Sequence, residues 1–147
     1  MENTNVKPKF KVVAALIVDG NKFLICKRPY TKARGGLWEF VGGKVEKGEA
    51  LTKALIRECL EELKIEIEPQ GLFYSLTHNY DDIDIELYLF KATITGGTLT
   101  LTEHIDARWI GIDEIKDYEF CPADYEILDK IRLDFSALYR AYKCLRA

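Results

Sequence analysis

Glu58, Glu61 and Glu62 stand three and four positions apart in a stretch with helical spacing. Residues at those intervals share one helix face, so the three carboxylates form a single acidic ridge. The ridge falls in the last turns of its helix, where the negative end of the macrodipole disfavours anions by about 0.3–1 kcal/mol. Like charges at i,i+4 add a penalty of roughly 0.2–0.5 kcal/mol per pair. A face that only solvates the helix would more often carry Lys or Arg there. Hard oxygen ligands clustered against both penalties are better explained by a divalent cation, Mg²⁺ or Mn²⁺. Such an ion, bound by carboxylates and substrate phosphates, activates water and neutralises charge on a transferring phosphoryl group. Arg57 adjoins the ridge and reaches either Glu61 at i+4 or back to Glu49, a bidentate contact that would hold a carboxylate in place. Gly42-Gly43 supplies a backbone bend that brings carbonyl and amide groups close to the ridge, where side chains would obstruct.

The helix that must carry the ridge is predicted over Glu49 to Leu63. Leu51, Leu55, Cys59 and Leu63 recur every four residues, and Ile56 and Leu60 widen that stripe, with the ridge opposite it. Before it, residues 9–18 form an apolar run suited to a strand buried on both faces. Asp19-Gly20-Asn21 turns the chain into a second strand at Lys22 to Cys26, which makes a hairpin. Lys27 to Gly36 is a loop, Trp38 to Val41 a short strand, and Gly42-Gly43 a break. After the helix, Ile65 to Glu68 alternates until Pro69, residues 72–79 and 83–95 read as strands, and Ala107 to Ile110 is a short one. Asp113 to Lys116 forms a helical turn. Pro122 to about Tyr142 has the spacing of a longer helix, with Ile127, Ile131, Leu138 and Tyr142 on one side. Strands mixed with two helices, neither βαβ units nor separate blocks, indicate an α/β fold, a mixed α/β sandwich.

At 147 residues the chain fits one domain, residues 1–147. Its net charge of −3 argues against sequence-independent binding of a nucleic-acid polymer, which needs a basic face. No apolar run approaches the roughly 20 residues that span a bilayer, so no membrane role is expected. Lys7, Lys9 and Lys11 interrupt any signal-like segment, which makes a cytoplasmic location the expectation. Cys26, Cys59, Cys121 and Cys144 lack a C-x-x-C pair, and the only histidines are His78 and His104, so zinc is not indicated. The four thiols read as small core or surface residues of a reducing compartment.

The stretch Gly43-Lys44-Val45-Glu46-Lys47-Gly48-Glu49, seven residues, then Arg57-Glu58-Cys59-Leu60-Glu61-Glu62-Leu63-Lys64-Ile65 resembles the Nudix box, G-x5-E-x7-R-E-U-x-E-E-x-G-U, with U apolar. Gly43, Glu49, Arg57, Glu58, Glu61 and Glu62 occupy their family positions, a coincidence expected roughly once in ten million starts. Lys64 departs, standing where the family has a glycine suited to a left-handed helix end, at a cost of about 1 kcal/mol or a shifted terminus. The segment Gly36 to Glu46 resembles the entry to the box in the MutT-like, CTP pyrophosphohydrolase-like branch, with Val41 where that branch often has Pro.

The resemblance implies a Nudix-type α/β/α sandwich, a mixed β-sheet flanked by helices. It implies Mg²⁺, with Mn²⁺ as substitute, on Glu58, Glu61, Glu62, the Gly42 carbonyl and Glu103. Arg57 joins the catalytic set, and either Glu58 or Glu103 is the general base. Arg28 and Lys44 match positions that contact phosphates. Asp124 and Phe40 fall where the branch meets the base, and a carboxylate at Asp124 would accept from an amine such as cytosine N4. His78 lies on a strand that can line the pocket, although a structural or surface role suits it better. The implied reaction converts a nucleoside triphosphate, CTP-like or an oxidised or non-standard deoxynucleotide, to monophosphate and pyrophosphate. The alternatives are another diphosphate substrate (a nucleotide sugar or dinucleoside polyphosphate) and a non-catalytic ligand-sensing module. Monomer and homodimer both stay open. If the ridge works through a metal, Glu58→Gln lowers turnover about 10³-fold, roughly 4 kcal/mol in the barrier. Unchanged steady-state turnover in that variant would sink the mechanism.

Overall fold

Hydrophobic residues at both parities of one strand set the architecture. In the computed structural model, which describes residues 6–146 and side chains as far as Phe135, β1 spans Lys9–Asp19. Val13, Ala15 and Ile17 point into one apolar cluster, Ala14 and Leu16 into another, and all five are buried. The strand is thus covered on both faces, as its unbroken apolar run predicts.

A two-residue turn with Gly20 at φ 62° leads into β2 (Lys22–Lys27), pairing Val18 with Phe23 and Asp19 with Lys22. The other strands are β3 (Trp38–Glu39), β4 (Gly42–Lys44), β5 (Ile65–Asn79), β6 (Asp84–Gly97) and β7 (Asp106–Ile110). The sheet runs β3-β2-β1-β6-β5, with β4 paired to β1 and β7 to β2. It is mixed, because β1 and β6 are parallel while the other pairs are antiparallel. Helix α1 (Leu51–Leu63) buries Ala54, Leu55, Cys59 and Leu63 against one face. Helix α2 (Tyr125–Arg146) buries Ile127, Leu128 and Ile131 against the other. This is the expected α/β/α arrangement. Among the described residues, no helix is long and apolar enough to cross a membrane.

Several boundaries differ from expectation for identifiable reasons. Gly42-Gly43 is not a break but strand β4, with Gly42 opposite Ala14 and Gly43 opposite Val13. A Cβ on Gly42 would collide with the Val13 carbonyl, so glycine is needed for close approach rather than for a bend. Helix α1 starts at Leu51, because Glu49 spends its side chain outside the helix. Ile56 and Leu60 do not widen the buried stripe, being 39% and 50% exposed. The two strands expected on either side of Pro69 are one, with register shifts between Pro69 and Gly71 and at two other places. The last helix begins with a 3₁₀ turn at Pro122–Asp124. Leu138, Tyr142 and Cys144 lie outside the described side chains, while Cys26, Cys59 and Cys121 are free and buried.

Lys64 ends α1 in the left-handed conformation, φ 58° and ψ 30°, its N–H bonded to the Leu60 carbonyl at 3.1 Å. The helix therefore keeps the terminus that a glycine would favour and accepts the strain. Lys64→Gly should raise stability by about 0.5–1 kcal/mol, the relief of strain outweighing the added unfolded-state freedom. A urea midpoint that fails to rise would contradict this reading.

Candidate active site

Arg57 organises the acidic end of α1. Its Nε and Nη2 donate to the two oxygens of Glu49, each at 2.9 Å, and Nη2 also reaches the Lys44 carbonyl at 3.2 Å. Nη1 donates to Glu58 at 2.9 Å and to Glu61 at 3.4 Å. Both routes open to Arg57 in the sequence are therefore used, with Glu49 held in the bidentate fork. That contact, together with the Glu46 N–H, holds the Glu49 carboxyl down at about 2. The guanidinium ties the loop before the helix, strand β4 and the ridge into one unit.

The ridge is not uniform. Glu61 is exposed, whereas the side chains of Glu58 and Glu62 are only 13% and 15% accessible. Glu62 is thus not opposite the apolar stripe but turned inward. Glu58 lies against Gly43, where an added Cβ would stand 2.6 Å from each carboxylate oxygen. Burial raises the Glu58 carboxyl against the pull of Arg57. Burial also lifts Glu62 to about 7, against the attraction of His104 and with repulsion from Glu58 and Glu39 adding to it.

The loop after β6 is stapled to the helix end. Thr102 donates its N–H to the Glu62 carbonyl at 3.2 Å and its hydroxyl to the Glu61 and Glu62 carbonyls at 2.9 and 3.0 Å. These bonds satisfy carbonyls that a helix end leaves unpaired. They also carry Glu103 and His104 to the ridge. Glu103 meets Lys32, and His104 is buried with Nε2 3.0 Å from Glu39.

A groove of about 280 Å³ opens beside this cluster, lined by Gly42, Gly43, Glu62 and Glu103 and also by Tyr80, Ala123 and Asp124. Arg28, Lys32, Arg34, Lys44 and Phe40 also line it. Arg28 is half-committed, donating to Glu39 at 2.9 Å and to the Ala33 carbonyl at 2.9 Å. Lys44 is exposed with its ammonium 3.9 Å from the Phe10 ring centre. Phe40 is buried between Phe23 and Phe120, so it forms wall rather than an open stacking surface. The Trp38 N–H bonds the Glu119 carbonyl and the Cys121 N–H bonds the Trp38 carbonyl, which sets Asp124 beside Glu39 and Arg28. Asp124 is buried, and burial first, then the Glu39 charge, pushes its carboxyl well above the usual range. The expected carboxylate at Asp124 thus sits where burial favours its protonated form. His78 packs on Tyr80 with ring centres 4.4 Å apart and does not line the groove.

Sequence reasoning did not single out Glu39, His104, Lys32 or the Arg34–Tyr80 stack, in which the guanidinium sits 4.1 Å from the ring centre. The His104–Glu39 contact spans 65 residues, so neither local spacing nor helical periodicity signals it.

The residues fit a divalent cation. The donors are hard oxygens, and Gly43 leaves room beside the Glu58 carboxylate that a side chain would fill. Among the described residues no three acidic, His or Cys side chains form a preformed metal cage, because Arg57 draws Glu58 and Glu61 to itself. Mg²⁺ does not need one, since it keeps waters and takes ligands from substrate phosphates.

A NUDIX domain model matches residues 12–130. With that match, and with the fold and acidic site already described, the chain belongs to the Nudix family of hydrolases. Members of this family generally use divalent metal ions. The chain is 37% identical over 119 residues to the CTP pyrophosphohydrolase of Escherichia coli strain K12, covering 81% of this chain and 88% of that one. It is 37% identical over 95 residues to an 8-oxo-dGTP diphosphatase of Proteus vulgaris, 64% of this chain and 85% of that one. The solution structure of the E. coli ORF135 protein superposes with a TM-score of 0.74 at 35% identity, over 92% of this chain and 94% of that chain.

The raised Glu62 carboxyl has a thermodynamic signature in metal-free protein. Between its ordinary value of 4.5 and about 7, the folded state holds a proton that the unfolded state has lost. Stability from this group is complete below that window and declines as pH rises through it. Asp124 contributes with the same sign. Glu62→Gln should remove a share of the decline on the order of 3 kcal/mol, read as Tm against pH in EDTA. Parallel curves for variant and parent would refute it.

Proposed function

We propose that residues 1–147 form one catalytic domain that hydrolyses a nucleoside triphosphate to monophosphate and pyrophosphate, with a cytosine-type base the best fit. One observation carries the base assignment: Asp124 is buried in the lining of the same groove as Glu62 and Glu103, where burial and then the Glu39 charge raise its carboxyl. A protonated carboxyl has one donor and one acceptor side by side. The cytosine edge offers the complement, an acceptor at N3 and a donor at N4. A guanine-type edge, with adjacent N–H donors, matches a carboxylate better. The similarity to the E. coli CTP pyrophosphohydrolase supports the same reading.

Glu58, Glu61, Glu62, Glu103 and the Gly42 carbonyl would hold Mg²⁺, with Mn²⁺ as a substitute. When bound, the ion supplies charge neutralisation on the phosphates and a more acidic water. Arg57 keeps Glu58 and Glu61 from splaying apart. Glu58, pressed against Gly43, and Glu103, paired with Lys32, are the two candidates to take the proton from water. Lys44, Lys32 and Arg28 supply positive charge for the phosphate chain, and Phe40 closes the groove wall behind the base. The groove suits a single nucleotide rather than a polymer. The three buried free thiols suit the reducing cytoplasm.

A panel of nucleoside triphosphates, nucleotide sugars and dinucleoside polyphosphates, with pyrophosphate and phosphate resolved, tests the assignment. Fast pyrophosphate release from CTP or a modified dCTP is the expected result, and preference for 8-oxo-dGTP would reject it. Asp124→Asn keeps a donor and an acceptor and should change kcat/KM for CTP only a few-fold. Asp124→Ala should cost roughly tenfold to a hundredfold, as expected for one lost bidentate base contact.

A further inference from the structure

A partly buried polar chain runs from Arg28 to Glu62, and its two middle members, Glu39 and His104, have no role in the proposed chemistry. Arg28 Nη1 donates to Glu39 Oε1 at 2.9 Å, and Glu39 Oε2 lies 3.0 Å from His104 Nε2. The other imidazole nitrogen, Nδ1, faces Glu62 Oε2 at 4.0 Å. Both facing atoms are buried and without a hydrogen-bond partner. Buried polar atoms are seldom left unpaired. Here closure by about 1 Å would make a hydrogen bond between the two.

His104 is the fixed member of the pair. On its N-terminal side Thr102 is bonded to the end of α1, and on its C-terminal side the Ile105 N–H bonds the Lys27 carbonyl at 3.0 Å. The ring is held by Glu39 and its side chain is 3% exposed. Glu62, by contrast, has no side-chain hydrogen bond to set its direction.

We infer that His104 is a positioning residue that fixes Glu62 Oε2 and thereby presents the other carboxylate oxygen to a divalent cation in the groove. The chain Arg28–Glu39–His104–Glu62 then links the nucleotide side of the groove to the ridge. This rests on the proposal that Glu62 is a metal ligand. A histidine with only a packing role would use the Glu39 contact alone and leave cation affinity unchanged.

The test is direct titration with Mn²⁺ in the absence of nucleotide, following free Mn²⁺ by electron paramagnetic resonance. Parent, His104→Asn, His104→Gln and Glu62→Gln are compared, each checked for folding by its thermal midpoint. The Asn amide stands near the position of Nδ1 and the Gln amide near that of Nε2. His104→Gln should weaken Mn²⁺ about 10- to 100-fold, the range for partners that orient a metal ligand, while His104→Asn stays within about threefold. Equal affinity in parent and His104→Gln, with Glu62→Gln weakened, overturns the positioning role and leaves the metal assignment standing. Parental affinity in Glu62→Gln overturns both.

A second readout needs no His104 variant. The chain has two histidines, so ring ¹⁵N spectra give an internal control. Saturating Mg²⁺ should shift the His104 Nδ1 resonance, leave His78 in place, and produce no His104 shift in Glu62→Gln. A His104 resonance that ignores Mg²⁺, or that shifts equally without Glu62, overturns the inference.

Discussion

The acidic end of α1 is tenable because one guanidinium gathers its carboxylates. Glu58, Glu61 and Glu62 sit where the helix dipole repels anions, and Glu49 approaches from the preceding loop. Arg57 answers with a planar fork of five donors, engaging Glu49, Glu58, Glu61 and the Lys44 carbonyl together. A lysine, a point charge on a flexible stem, has no geometry to meet that set. Strand β4, the loop after it and the helix are therefore locked in one arrangement before any substrate arrives. Glu62 alone escapes this fork, and the imidazole of His104 faces it at 4.0 Å.

How much of this the sequence discloses depends on separation along the chain. The Glu58–Glu61 pair, the reach of Arg57 to Glu49 and the αL end at Lys64 all follow from intervals of fewer than ten residues and stand where spacing places them, whereas Glu62 turns inward off the expected ridge. The fold class is also legible, because β1 carries apolar residues at both parities and α1 and α2 carry one stripe each. What sequence cannot express is close approach. Gly42 reads as a break yet sits mid-ladder, since the requirement is for space beside Val13 rather than for a turn. Ile56 and Leu60 have the right period but too wide an angle, so the sheet covers Leu55 and Cys59 and leaves them out.

Long-range pairs account for the remaining gap. Glu39 is an unremarkable residue between two aromatics until the ladder partners β3 with β2 and the loop after β6 delivers His104. The delivery depends on Thr102, whose small hydroxyl caps α1 from outside the helix. A helix end that needed its carbonyls satisfied has thus acquired, in the same loop, an acid and an imidazole beside the ridge.

Whether a guanidinium is bonded to a carboxyl decides which way its proton affinity moves. At the ridge, Arg57 offsets desolvation and holds Glu49 ionised. No cation is bonded to Asp124: Arg28, the one group that lowers its carboxyl, is already bonded to Glu39, whose own charge raises it. Burial therefore wins at Asp124 and loses at Glu49, although both are carboxyls within one small protein. The pairing of Arg28 with Glu39 takes up the guanidinium beside Asp124, and it anchors the imidazole that faces Glu62. The carboxyl that a guanidinium grips in its fork is lowered, as at Glu49, while Glu62 and Asp124, which no guanidinium bonds, are both raised by burial.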